Sequence, residues 1–195
     1  MTYIDQCQQH IKVTMVKWER PPEGLHKLNT DGSAKHNTGQ IGGGGILRDH
    51  QGKLIYAFAI PLGFGTNNFA EIQAALHGLQ WCQQHGFKKI ILEVDSELLY
   101  KWISNKSVVP WRCLHYIQQI QNINNKMEIF QCKHIYREAN GTADLLAKWS
   151  HSMDIIQQFY TSQQLEGAIK GSYILEKMGM QLFRRRKLKR IKHPP

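Results

Sequence analysis

The 195-residue sequence holds no apolar run near the ~20 residues a membrane-spanning helix needs, so no membrane association is expected. Its first twenty residues, MTYIDQCQQHIKVTMVKWER, lack the basic-then-apolar layout of a secretion signal. Cysteine is scarce: Cys7, Cys82, Cys113 and Cys132 lie far apart with no C-x-x-C pair. That excludes a thiolate zinc site or a disulfide frame, and the thiols read as reduced groups of an intracellular protein. The histidines are scattered without H-E-x-x-H or other ligand spacing. Acids are few as well, 15 Asp and Glu against 25 Lys and Arg, for a formal charge of +10.

What is present is concentrated positive charge. Residues 151–195 carry net +6, leaving +4 for residues 1–150, and RRRKLKRIK (Arg184–Lys192) holds seven cations in nine positions. Such a block is too self-repelling to pack, so an arm attracted to polyanions is expected. A solubilising tail and a nuclear-import signal are equally compatible with it. Nucleic acid is the favoured partner.

Residues 1–18 have the pattern of a short amphipathic helix, and PPEG at 21–24 breaks the chain. Three strands follow, over 25–33, in the glycine-rich IGGGGILR, and in KLIYAFAI, which Pro61 and nearby glycines are expected to end. Phe69, Ile72, Leu76, Leu79 and Cys82 mark one face of a helix that stops at Gly86. KKIILEV reads as a buried strand and SELLYKWI as a helix. Pro110 opens a helix to about Asn124, MEIFQCKHIY is a fifth strand, and TADLLAKWS starts a last helix. The order β-β-β-α-β-α-α-β-α predicts an α/β fold: a five-stranded mixed sheet, three antiparallel strands then parallel additions, with helices on both faces. The expected boundaries are 1–24 as an extension, 25–150 as the domain, and 151–195 as an extension in which SMDIIQQFY prolongs the helix and the rest is irregular.

Four carboxylates sit at element ends, each with an ordinary explanation. Asp31, in Asp-Gly-Ser, suits a turn; Glu71, three residues after Asn68, suits a capping box. Asp95 could cap the helix after it, and Asp144 suits a helix's first turn. Topology raises their interest. Strands one and four run parallel with Asp31 and Asp95 near their carboxyl ends, where open α/β sheets place ligands. Glu71 and Asp144 come from helix starts at the same rim, and no lysine or arginine stands beside any of the four in sequence. Crowded acids need shared protons or divalent cations, and oxygen-only ligands favour Mg²⁺ or Mn²⁺. On a basic protein, that suggests attack of water on a phosphodiester.

TDGSA, TNNFAEIQAAL, LEVDSELL and REANGTADLLA resemble, in order and context, the motifs of the type 1 ribonuclease H family. PPEGLHKLNTDGS and GGGGILRDHQGKL resemble its plant branch associated with non-LTR retroelement polyproteins. The resemblance covers about Trp18 to Ser150. It implies an RNase H-like fold and endonucleolytic cleavage of the RNA strand of RNA–DNA hybrids with two Mg²⁺ ions, Mn²⁺ able to substitute. It implies that Asp31 bridges both metals and that Asp144 helps hold the one activating water. Asp95 and Glu71 would hold the one stabilising the departing 3′-oxygen, and Glu71 would also reach a ribose 2′-hydroxyl. Asn37, Thr66, Asn67 and Asn68 match positions that grip the hybrid, and His134 matches the interval of a histidine that helps product leave. The protein is expected to act as a monomer, and to be a fragment of a retroelement polyprotein.

Three departures bear on affinity. His134 falls inside the fifth strand, where histidines are usually packed, and Arg137 competes for the same loop space. Glu97 stands where an amide is usual. No room remains for a basic protrusion between Asp95 and Asp144, and Lys101, Lys106 and Arg112 are sparse substitutes, so the basic tail is expected to supply the affinity. A P-loop is excluded because GGGGILRD lacks its Lys-Ser/Thr. A proofreading exonuclease is disfavoured because Asp31 is followed by Gly-Ser rather than x-Glu. A catalytically silent nucleic-acid-binding module of the same fold remains the alternative.

Overall fold

The computed structural model describes residues 11–36 and 38–187. Six strands form the main sheet: β2 (His26–Ala34), β3 (Thr38–Arg48), β4 (Leu54–Thr66), β5 (Lys89–Val94), β6 (Ile129–His134) and β7 (Gln157–Phe159). Their order is β6-β5-β2-β3-β4-β7. β2, β3 and β4 are antiparallel, whereas β5 lies parallel to β2 and β6 parallel to β5. The helical crossovers impose that parallel pairing. The fold class is therefore the expected α/β mixed sheet, with β7 added on the β4 edge as a sixth strand.

The glycines of β3 are a packing device. α1 (Asn67–Gln84) lies on one face of the sheet and α4 (Gly141–Trp149) on the other. A Cβ on Gly32 would come within 2.2 Å of the Glu71 backbone nitrogen, and one on Gly44 within 2.3 Å of the Ala147 nitrogen. Asp31 pairs across the ladder with Gly44. Both helices thus rest directly on sheet backbone, which carries their first turns to the strand ends. On the α1 side the core joins Leu28, Tyr56, Phe58, Ile72, Leu79, Ile90 and Leu92 to α2 (Glu97–Ile103) and α3 (Trp111–Asn124). On the α4 side, Ile46, Leu54, Ala57, Ala59 and Leu146 meet Phe159, Leu165 and Tyr173.

Three expectations about the elements need correction. The strand containing Pro61 does not end there. β4 runs on to Thr66 through a register shift at which Gly42 faces Pro61 and Ile41 faces Gly63. Leu62 is the extra residue, and Gly63 takes φ of +80° there, a conformation open to glycine. A bulge is where a proline's missing N–H does no harm.

The second correction concerns the amino-terminal segment. Ile11–Val16 is strand β1, not a helix, and pairs antiparallel with β8 (Leu182–Lys187) from Ile11↔Lys187 to Val16↔Leu182. Its isoleucine, valines and threonine favour a strand. Residues 1–10 and 188–195, including the end of the expected basic arm, lie outside the described residues.

The third correction concerns residues 151–187, which are neither a prolonged helix nor irregular. They supply β7, α5 (Gly167–Lys177) and β8. The Tyr173 hydroxyl donates to the Gly52 carbonyl and accepts from the Leu54 N–H, both at 3.1 Å. Arg48, fully buried, gives one guanidinium nitrogen to Glu176 at 2.6 Å and the other to Asn29 at 2.7 Å, and stacks on Trp18. The other Glu176 oxygen accepts from the Thr142 N–H at 2.9 Å, so α5 caps the first turn of α4.

Candidate active site

The three bland explanations that geometry can test give way. Asp31 lies inside β2, paired with Gly44 and wholly buried, not in a turn. The cap of α1 is Thr66, whose Oγ accepts from the Phe69 N–H at 3.3 Å, so Glu71 belongs to no capping box and points inward, 4 % exposed. The cap of α2 is Ser96, whose Oγ accepts from the Leu99 N–H, which leaves Asp95 unoccupied by capping. Asp144 does lie in the first turn of α4.

Asp31, Glu71 and Asp95 each offer a carboxylate oxygen within 4.8 Å of the others. They come from a central strand, a helix on one face, and the residue just past the neighbouring parallel strand. Among the described residues, both Asp31 oxygens, Glu71 Oε2 and Asp95 Oδ1 are buried without a hydrogen-bond partner. At an effective dielectric near 20, each pair of full charges at such a distance repels by about 3–4 kcal/mol. Three such pairs exceed what a marginally stable fold tolerates, so protons or cations must be taken up. Burial is the largest influence on Asp31, followed by the Asp95 and Asp144 charges, and it pushes the carboxyl up to about 9. Glu71 is likewise raised well above the usual carboxylate range by burial, then by Asp31 and Asp95, against a backbone hydrogen bond from Gly32 and the Arg137 charge.

Asp144 stands beside this trio. α4 is fixed there by Glu176 on Thr142 and by Asn140, whose amide donates to the Thr30 carbonyl at 2.9 Å. Two cations attend it. Arg137 spans Asp95 at 3.5 Å and Asp144 at 3.3 Å, and Lys148 reaches Asp144 at 2.5 Å. No basic residue adjoins the four acids in sequence, but two reach them in space: Lys148 lies one helical turn past Asp144, a spacing readable from sequence, and Arg137 pairs with both Asp95 and Asp144. Arg137, expected in this loop space, gains its site role only from the turn that brings it back over the sheet rim.

The remaining candidates divide. His134 ends β6 but is exposed, not packed, and its Nε2–H donates to the Asp95 carbonyl at 3.1 Å. Asn67 lines a cavity of about 700 Å³ together with Glu71, Asp95, His134 and Arg137. Thr66 is engaged as the α1 cap, Asn68 is exposed on the first turn, and Asn37 lies outside the described residues. Glu97 lines that cavity too, but Lys101 hydrogen-bonds it at 2.7 Å and lowers its carboxyl, which answers part of the extra charge. Sequence reading did not foresee Arg184, Arg185 and Arg186 on the cavity's wall.

The donor set fits divalent metal. The ligand atoms are all carboxylate oxygens, several buried and unpartnered, the pattern hard cations satisfy and an ordinary polar core avoids.

A family model described as reverse transcriptase-like matches residues 29–150, which include all four acids. The chain belongs to the reverse transcriptase-like family. It is 29 % identical over 141 residues to a candidate ribonuclease H protein of Arabidopsis thaliana, covering 72 % of this chain but only 23 % of that relative's length. The crystal structure of RNase H1 from the halophilic archaeon Halobacterium salinarum superposes with a TM-score of 0.63 at 25 % identity, covering 66 % of this chain and 98 % of that one. LC11-RNase H1 in complex with RNA/DNA hybrid gives 0.60 at 27 % identity, over 64 % and 94 % of the two chains. The matching portion carries the RNase H-like fold.

Proposed function

We propose that this protein hydrolyses the RNA strand of RNA–DNA hybrids endonucleolytically, with Asp31, Glu71, Asp95 and Asp144 holding two divalent ions, Mg²⁺ by preference. The observation that carries the proposal is the meeting of Asp31, Glu71 and Asp95 within 4.8 Å with unpartnered buried oxygens. Supporting it are the likeness to ribonucleases H and the hybrid held by one of them. Bound divalent cations would supply an activated water and stabilise charge on the departing 3′-oxygen.

The chain's own residues set where that chemistry falls. Asp31, wholly buried and within 4.8 Å of Glu71 and Asp95, would help hold both ions, Asp144 would help hold one, and Asp95 with Glu71 would hold the other. Glu71 and Asn67 face the open cavity where the minor groove would lie, which suits contact with a ribose 2′-hydroxyl. His134, tethered to the Asp95 backbone yet exposed, is free to swing toward a leaving product. Thr66 and Asn68 flank Asn67 at the same helix start.

One observation favours a second reading. Arg137 and Lys148 already neutralise Asp144, as they would in a silent module that binds nucleic acid without cutting it. Labelled hybrid, duplex RNA and duplex DNA, each incubated with the protein in Mg²⁺ and in EDTA, separate the two. Hybrid-only, EDTA-sensitive cleavage is expected; binding without cleavage selects the silent module.

A further inference from the structure

The arginine block does not begin as a free arm. Arg184, Arg185 and Arg186 lie in β8, laddered to β1, and all three line the cavity that also holds Glu71, Asp95 and Asn67. Arg184 is spent on structure: it pairs with Glu138 at 3.1 Å and lies over the Tyr136 ring at 4.6 Å, which pins the ribbon beside the site. Val16, buried at the ribbon's base, anchors it from the other strand. Arg185 and Arg186 are exposed and make no ion pair among the described residues. Lys12, exposed as well, faces Arg186 across the ladder.

We propose that the β1–β8 ribbon is a phosphate-binding wall of the active-site cleft, with Arg185 and Arg186 contacting the backbone of the polynucleotide whose scissile bond lies at the carboxylates. The proposal rests on the ribonuclease H reading for what enters the cleft, but the ribbon's chemistry is that of any nucleic-acid backbone. Electrostatics favours such a wall. A polyanion approaching a cluster of buried acids is repelled, and cations fixed nearby reverse the local potential. Guanidinium suits the task because its planar fork takes two phosphate oxygens at once. Presentation from a paired strand fixes where the forks point, so less side-chain entropy is lost on contact than from an unstructured arm. The ribbon lies outside the matched stretch 29–150, so it is an addition to the family's shared domain.

The test measures equilibrium binding of a labelled RNA–DNA hybrid to the intact chain in EDTA, over a range of salt. Arg185→Gln/Arg186→Gln is expected to weaken binding roughly tenfold at 0.1 M salt and to reduce the slope of log K against log[salt] by about 1.8, two phosphate contacts' worth. Arg185→Lys/Arg186→Lys should keep the wild-type slope, since charge is retained. An unchanged thermal midpoint in both variants shows that the ribbon still folds. An unchanged slope in the glutamine pair overturns the proposal, and tighter binding overturns it in favour of a ribbon that obstructs the cleft. The two readings fail separately. Loss of slope in a chain that never cleaves hybrid keeps the wall and removes the nuclease, whereas normal cleavage with an unaltered slope does the reverse.

Discussion

Asn29 and Asp31 lie on the same face of one strand, two residues apart, and both are wholly buried, yet their surroundings are opposites. Around Asn29 every side-chain oxygen is matched. Its amide donates to Glu93 at 3.0 Å, its carbonyl accepts from Trp18 and Arg48, and the neighbouring charges close as Lys27–Glu93 and Arg48–Glu176, each at 2.6 Å. Around Asp31 stand two more acids, and among the described residues neither of its own oxygens has a hydrogen-bond partner. Both clusters are costly to bury. Among the described residues only one is closed by the chain's own donors, and that is what separates the two. Acidic residues in a buried cluster are thus poor guides alone; the informative quantity is how many of their oxygens the protein leaves unanswered.

The contrast yields a graded set of expectations. Asp31→Asn should reduce hybrid cleavage by about 1,000-fold or more, some 4 kcal/mol of lost transition-state stabilisation, while largely sparing hybrid affinity. Near-normal Mg²⁺-dependent cleavage by that variant would mean that the open cluster is not the catalytic one. In the closed network, Arg48→Ala should cost about 3–5 kcal/mol by stranding Glu176, seen as a lower urea midpoint. A variant within 1 kcal/mol of wild type would remove the distinction from the other side.

Proton linkage sharpens it further. Burial and neighbouring acids raise the folded-state pKa of Asp31 to about 9 and raise that of Glu71 as well, so these groups hold more protons in the folded protein than in the unfolded chain, Asp31 between about pH 4 and 9. In EDTA, stability should therefore be full below about pH 4 as far as these groups are concerned, and fall as pH rises through that window, opposite to an ordinary ion-paired carboxylate. Added Mg²⁺ should recover the loss at pH 8 and do little at pH 5, read as thermal midpoints. Asp31→Asn should flatten the EDTA profile. The smallest effect belongs to His134→Ala, a severalfold drop in turnover at saturating hybrid with binding little altered, since His134 lines the cavity and is hydrogen-bonded to the Asp95 backbone rather than to a carboxylate. No change would leave His134 outside the reaction.

Much of this was legible in residue order. The alternation over β2, the apolar face of α1 and the dense β-branched run of β5 follow from local pattern, because the forces that shape them are local, whereas the four acids stand out only through strand order and motif context. What escaped was tertiary. RRRK reads as a solvated run, and only its pairing with Ile11–Val16, some 170 residues away, makes it a strand. KLIYAFAI ends before a proline by every local rule, yet a single bulge carries the strand on to Thr66. α5 declares its place through Glu176, whose partner Arg48 sits 128 residues earlier. Arg137 belonged to a loop whose direction no periodicity records.

The hold of Glu176 on both Arg48 and the Thr142 N–H has a practical corollary for anyone shortening this protein. Cutting at Ser150, where the motifs stop, would delete the counter-ion of a fully enclosed guanidinium and the cap of the helix that presents Asp144. Such a trimmed version is expected to express poorly or to lose activity out of proportion to any residue removed. An inactive fragment would then report a missing brace rather than an inert set of carboxylates.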